Sequence, residues 1–400
     1  MESISLSMIA VDDDRPATRG FERISERVLT VAGIYGPNAS GKSNVLEGLR
    51  WLSAAVDHSL RQWRDVVPRE PFRFADGPAA TTTFEVDMMV GDVRYSYSLE
   101  VDDQSVVYEA LHSYPERRRR VLFERDELEL TLRRGLSALS GVRELLTPTT
   151  LALSAALRFD DAEVGPFGRA LSGVANVNFR PLGGFANPIR SALSAISTTR
   201  MFNEPGNAQE IDSRAIAIGM LKLADLGIDD VEVVRDDTDP ATGRTIPRLH
   251  LVHLADGQRL SFELAQESTG TRTWLAVIGP ALNALRTGQV LLFDEIDGSL
   301  HPHLSAYLLT LFQDPETNPR GAQLIFSTHD TSLLGHLNRD EVWLTEKGDD
   351  GATRLTALAE YGGDKVRRSA NLERAYLQGR FGAVPQIDQV TVRQALGLSA

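Results

Sequence analysis

The chain has 400 residues, a formal charge of −13 and no cysteine. That length exceeds what one hydrophobic core usually supports, so one large domain with an insertion, or two unequal domains, is expected. Hydrophobic residues at 42% and charged residues at 24% exclude a disordered or fibrous chain. The acidic balance works against nucleic acid and anionic membranes as partners. The lack of thiols excludes disulfides and thiolate metal sites and fits a reducing cytosol. The N-terminus lacks the basic and apolar regions of a signal peptide, and no apolar run reaches the roughly 18 residues of a membrane span.

In chain order, Ile4 to Val11 alternates loosely and predicts a first strand, and Val28 to Tyr35 predicts a denser, buried one. Residues 36 to 43, Gly-Pro-Asn-Ala-Ser-Gly-Lys-Ser, follow directly, and Asn44 to Leu60 places Val45, Leu49, Leu52 and Val56 at helical spacing. From Thr81 to Leu132 the period becomes two, with a hairpin turning at Gly91-Asp92 inside an antiparallel meander. The basic run Arg117 to Arg120 reads as a solvated turn within it. Residues 137 to 226 read as a mostly helical insertion broken at Gly165-Pro166, Pro181 to Gly184 and Glu204-Pro205-Gly206.

Strands return at Val231 to Arg235, Arg248 to His253 and Leu260 to Leu264, followed by a helix from Thr271 to Leu285 containing Pro280. The apolar runs Val290 to Phe293 and Leu324 to Ser327 flank a helix at Leu304 to Phe312, an order that means a parallel sheet. A hairpin at Glu341 to Glu346 and Arg354 to Leu358 and a charged helix from about Asp364 to Gln378 complete the chain. The expected organisation is residues 1–136 and 227–400 as two parts of one α/β domain, with 137–226 inserted.

A loop of this composition between a strand and a helix is a P-loop. Its backbone N–H groups surround a β-phosphate, its lysine reaches the β/γ oxygens, and the next hydroxyl binds Mg²⁺. The nucleotide-binding candidates are Gly36, Asn38, Gly41, Lys42, Ser43 and Asn44, for ATP or GTP. Val290-Leu-Leu-Phe delivers Asp294 and Glu295 to the carboxyl edge of a sheet, where Asp294 would hold Mg²⁺ with Ser43, and Glu295 would polarise the attacking water. The next strand ends in Ser327, Thr328 and His329, and an imidazole there can report the γ-phosphate. Ser268 and Gly270 open a helix whose N-terminal amides suit a γ-phosphate, with a plain N-cap as the alternative. His301 and His303 lack a carboxylate constellation and read as structural.

Together the P-loop, the Asp294-Glu295 pair, Asp297-Gly-Ser-Leu-His-Pro302 and Ser-Thr-His329 resemble the ATPase head shared by ABC transporters, SMC proteins and OLD-family ATPases. In that group Glu267-Ser268-Thr269-Gly270-Thr271 would be a shortened signature serving the opposite subunit's ATP, and Asp297 would lie in the loop that crosses between sites. The resemblance implies an ABC-type head with parallel core sheet, antiparallel meander and helical insertion. It further implies ATP and Mg²⁺ as cofactors, and a homodimer or larger homo-oligomer formed through ATP-sandwiched heads. The coupling glutamine and the adenine-stacking residue have no clear counterpart, Gln62 being a poor fit for the first. The stretch Arg368 to Pro385 is similar to the end of stand-alone prokaryotic ATPases of the RloA and AbiL type. That likeness implies the cytoplasmic ATPase of an anti-phage abortive-infection system, sensing infection or regulating a separately encoded nuclease or toxin. The competing reading is an SMC-like repair or chromosome-associated ATPase that clamps DNA directly, for which the charge gives no support. The OLD nucleases add a Toprim domain, for which the stretch after Arg339 is too short.

Overall fold

The structure is a computed structural model that describes residues 3–12, 15–74, 77, 79–177, 208–224, 227–234, 248–298, 300–361 and 372–383. Its strands are β1 (Thr18–Arg19), β2 (Val28–Leu29), β3 (Val31–Tyr35), β4 (Thr82–Val90), β5 (Val93–Val101), β6 (Val106–Tyr114), β7 (Arg120–Asp126), β8 (Glu129–Leu132), β9 (Ala175–Val177), β10 (Ile228–Val234), β11 (Arg248–Ala255), β12 (Gln258–Glu263), β13 (Val290–Phe293), β14 (Gln323–Ser327), β15 (Val342–Lys347) and β16 (Thr353–Ala357). The helices are α1 (Lys42–Gln62), α2 (Val142–Leu145), α3 (Ala152–Ala156), α4 (Gly165–Ser172), α5 (Ala208–Ala224), α6 (Thr269–Thr287), α7 (Pro302–Gln313) and α8 (Leu372–Leu377).

The core sheet has the order β16-β15-β3-β14-β13-β9, with every pair parallel except β15 with β16. Both of its faces are covered, which is why Val-Ala-Gly-Ile-Tyr of β3 and Val-Leu-Leu-Phe of β13 read as unbroken apolar runs rather than as alternation. Successive residues serve opposite layers. Val31, Tyr35, Leu291, Phe293, Leu324 and Phe326 pack with α6 and α7, whereas Ala32, Ile34, Leu292 and Ile325 pack with Leu46 of α1.

On its other side α1 closes a second core. Trp51, Leu52, Ala55 and Val56 meet Tyr95, Tyr97 and Leu99 of the meander β4-β5-β6-β7-β8, and Trp51 stacks on Phe84 with centroids 4.8 Å apart. The expected turn at Gly91-Asp92 links β4 to β5, with Gly91 in the left-handed region that such a turn requires (φ 60°). Arg117 to Arg120 forms the turn from β6 to β7, where Arg117 donates to the Arg23 carbonyl and Arg120 pairs with Glu116.

Two elements differ from the sequence expectation. Ile4 to Val11 is not a strand: Ile9 makes one bridge to Val28, and the N–H groups of Val11 and Asp12 go instead to the Asp340 carboxylate, at 2.8 and 3.1 Å. Ala175–Val177, inside the stretch read as helical, is a strand in parallel register with β13. The helix α6 runs through Pro280, as expected, and ends at Gly288, left-handed at φ 74° with its N–H on Ala284 O. The expected breaks at Pro181 to Gly184 and Glu204 to Gly206, and most of the charged C-terminal helix, lie outside the described residues. Among the described residues no helix is long and apolar enough to cross a membrane.

Candidate functional site

Residues 36 to 41 pass from the carboxyl end of β3 into the first turn of α1. The glycines are required by what stands behind them. A Cβ on Gly36 would strike Thr345 Oγ1 and the Thr345 carbonyl, and one on Gly41, at φ 104°, would strike Thr353 Oγ1. The hairpin β15-β16 therefore backs the loop, and Ser40 Oγ meets Thr345 Oγ1 at 2.6 Å. Lys42 is buried and donates to the carbonyls of Gly36 and Pro37 at 2.9 and 3.1 Å. Burial lowers its pKa, while Glu295, Asp297 and Asp294 act in the opposite direction. Asn38 and Asn44 are exposed on either side of the loop.

Asp294 follows the last residue of β13, and its Oδ1 is reached from two elements: Ser43 Oγ donates at 3.0 Å and Ser327 Oγ at 2.5 Å. Ser327 Oγ also accepts the Glu295 N–H at 2.8 Å. Glu295 is exposed and left-handed, with φ 52°, an uncommon conformation for a residue bearing a side chain. Among the described residues no hydrogen bond reaches its carboxylate. The P-loop hydroxyl and the acidic pair are thus joined side by side, although Ser43 and Asp294 are far apart in sequence.

The Asp297 loop is tied to the end of β14 in the same way. Thr328 Oγ1 donates to Asp297 Oδ1 at 2.7 Å, and the His329 N–H points at both carboxylate oxygens, at 3.2 and 3.3 Å. The His329 side chain is exposed. Asp330 then caps the following turn by accepting from Ser332 N at 2.8 Å. His301 caps α7 by accepting from His303 N at 3.3 Å, and the two imidazoles stack.

Ser268 caps α6, accepting from Thr271 N at 3.1 Å, and Gly270 lies in the first turn. Glu267 beside it is held by His253 of β11 at 2.9 Å. Within one chain the hydrogen bonds of Ser268 stay inside its own helix, so the structure brings together 36–44, Asp294, Glu295, Asp297 and His329, but not the Ser268-Gly270 segment. Thr345 and Thr353, which shape the P-loop from behind, had no sequence signal, being two threonines in an ordinary hairpin. The polar tip Ser327-Thr328 was visible in the sequence, whereas its partners were not.

The fold is similar to several solved ATPase heads. An SMC head bound to the C-terminal winged-helix domain of ScpA matches at 12% identity and a TM-score of 0.38, covering 85% of this chain and 95% of that one. The SMC head domain from Thermotoga maritima matches at 12% and 0.33, covering 85% and 96%. A dimeric ATP-binding cassette in a post-hydrolysis state with ADP and phosphate matches at 12% and 0.31, covering 87% and 98%. No curated protein matches the chain. A family model described as "AAA domain, putative AbiEii toxin, Type IV TA system" matches residues 31–335, which runs from β3 through the P-loop and the acidic pair to the turn after His329. The chain therefore belongs to this AAA-domain family.

Proposed function

We propose that the chain binds ATP with Mg²⁺ at residues 36–44 and hydrolyses it. The observation that carries this reading is the hydrogen-bonded row Ser43, Asp294, Ser327 and Glu295. Hydroxyl and carboxylate oxygens at 3.0 Å are the hard donors Mg²⁺ prefers. Ser43 and Asp294 would hold the Mg²⁺, which when bound would neutralise charge developing on the phosphates. Lys42, already desolvated, exchanges two backbone carbonyls for phosphate oxygens, and the Glu295 carboxylate, with its acceptor sites unused, orients and polarises the attacking water. His329 faces the γ-phosphate position and registers its loss.

Ser268 and Gly270 serve a second copy of the chain, so that two ATP molecules are sandwiched in a head-to-tail dimer, with Asp297 in the loop crossing between sites. Residues 137–226 act as an insertion between the two parts of the head, 1–136 and 227–400. The biological role we infer is that of a cytoplasmic ATPase in an anti-phage system, whose nucleotide cycle regulates a separately encoded effector. Supporting this are the acidic surface, which disfavours direct DNA clamping, and the toxin–antitoxin context in the family's description.

Two variants test it. Lys42→Ala should lose ATP binding and turnover, measured by calorimetry and phosphate release, and wild-type turnover in that variant would refute the site. Glu295→Gln should bind ATP, hydrolyse it poorly and sediment as a larger species with Mg²⁺ and ATP, so a variant that stays monomeric overturns the sandwich.

A further inference from the structure

Ser327 is fully buried at the end of β14, beside the half-buried Asp294 and the exposed Glu295. A serine hydroxyl has one proton and two lone pairs. Here the proton goes to Asp294 Oδ1 at 2.5 Å, which fixes the hydroxyl rotor so that a lone pair meets the Glu295 N–H at 2.8 Å. The Ser327 carbonyl accepts the next amide, Ile296 N, at 3.0 Å. One residue therefore holds the backbone on both sides of the Glu295 Cα.

That grip matters because of the conformation it holds. Glu295 at φ 52° bears the steric penalty that a Cβ meets in the left-handed region. A residue in this state stays there only when its surroundings over-determine it. Apart from the two bonds to Ser327, the turn is closed by Gly298 N on Glu295 O at 2.9 Å. Since no hydrogen bond among the described residues steers the Glu295 carboxylate directly, its direction is set by where the Cα–Cβ bond points, and so by this backbone.

We propose that Ser327 is a positioning residue for hydrolysis: its hydroxyl locks the left-handed turn that aims Glu295 while holding Asp294 against Ser43. The inference rests on the ATPase reading above and adds a residue to it. Ser327 does not touch the reactants and acts through Glu295 and Asp294. A hydroxyl that merely satisfied a buried polar gap would affect stability and leave the chemical step unchanged.

The test uses the full chain with Mg²⁺ and ATP. Ser327→Ala should bind ATP within about threefold of wild type and keep its KM, while kcat falls roughly 10- to 100-fold, the usual range for groups that orient ligands from behind. Ser327→Thr, which retains the hydroxyl, should recover most of the loss, and melting temperatures should not track kcat across the set. A folded Ser327→Ala with kcat within about twofold of wild type overturns the proposal, as does a Thr variant no better than Ala. Should the alanine variant not fold, Ser327→Cys keeps the volume with only a weak donor, and wild-type kcat there overturns it equally. The two readings fail differently. Absence of turnover in wild type defeats the ATPase assignment itself, whereas wild-type turnover that is lost in Glu295→Gln and unchanged in Ser327→Ala defeats only the positioning role.

Discussion

Two carboxylates separate the meander from the core sheet. Glu109 of β6 is fully buried and has spent its acceptors: Tyr97 OH donates at 2.9 Å, the first amides of α3, Ala152 N and Leu153 N, donate at 2.6 and 2.8 Å, and Arg125 sits at 3.6 Å. Arg125 in turn reaches the carbonyls of Glu127, Thr147 and Thr150. Glu295, at the end of β13, is exposed and its carboxylate is unbonded within the described residues. Burial and charge alone would rank Glu109 first as a functional candidate. The difference lies in unused hydrogen-bonding capacity: a saturated carboxylate fastens β6 to the helical segment after residue 147, and an unsaturated one keeps its acceptor sites open.

The contrast breaks most visibly at Glu109. Glu109→Gln leaves the Arg125 charge buried without its counterion, so stability should drop by about 3–5 kcal/mol, read from the urea midpoint. A loss under about 1 kcal/mol would mean that the network is not what fastens the meander.

Next in size is Glu341, a buried carboxyl beside Arg15 whose pKa burial raises from 4.5 to about 7, against the pull of Arg15 and of Asn338 N. Because the folded form holds this proton more tightly than the unfolded chain, stability falls as pH rises from about 4.5 through about 7, by at most about 3 kcal/mol. Glu341→Gln cannot ionise and should flatten that part of the melting curve against pH; an unchanged slope would assign the dependence elsewhere.

The smallest effect sharpens the comparison. Glu295→Gln should leave the stability read from urea unfolding within about 0.5 kcal/mol of wild type while turnover collapses. If it destabilised the protein as Glu109→Gln does, the two carboxylates would not differ in kind.

Much of the site was legible because each piece is local: Gly36 to Ser43, Asp294-Glu295 and Ser327 to His329 each follow an apolar run that a buried parallel strand requires. The meander was legible through its alternation and its Gly91-Asp92 turn. What stayed hidden depends on pairing across the chain. Ala175–Val177 becomes a strand only because β13 lies beside it, and three residues carry no period. Ile4 to Val11 has the alternation of a strand, yet Asp340 takes the amides of Val11 and Asp12, and Ile4, Ile9 and Val11 are exposed. The collision that excludes a side chain at Gly41 comes from Thr353, remote in sequence.

The placement of β3 has a consequence for how the protein is made. It lies in mid-sheet between β14 and β15, in register with Leu324 through Val31 and with Val342 through Gly33. At about 5–20 residues per second, a ribosome needs roughly 15–60 s after completing β3 to deliver either neighbour. Throughout that interval five consecutive residues, all buried in the finished fold, have no sheet to join. The phosphate loop is thus synthesised well before the strands that flank β3, and a nascent chain carries the whole P-loop motif long before that part of the sheet can close around it.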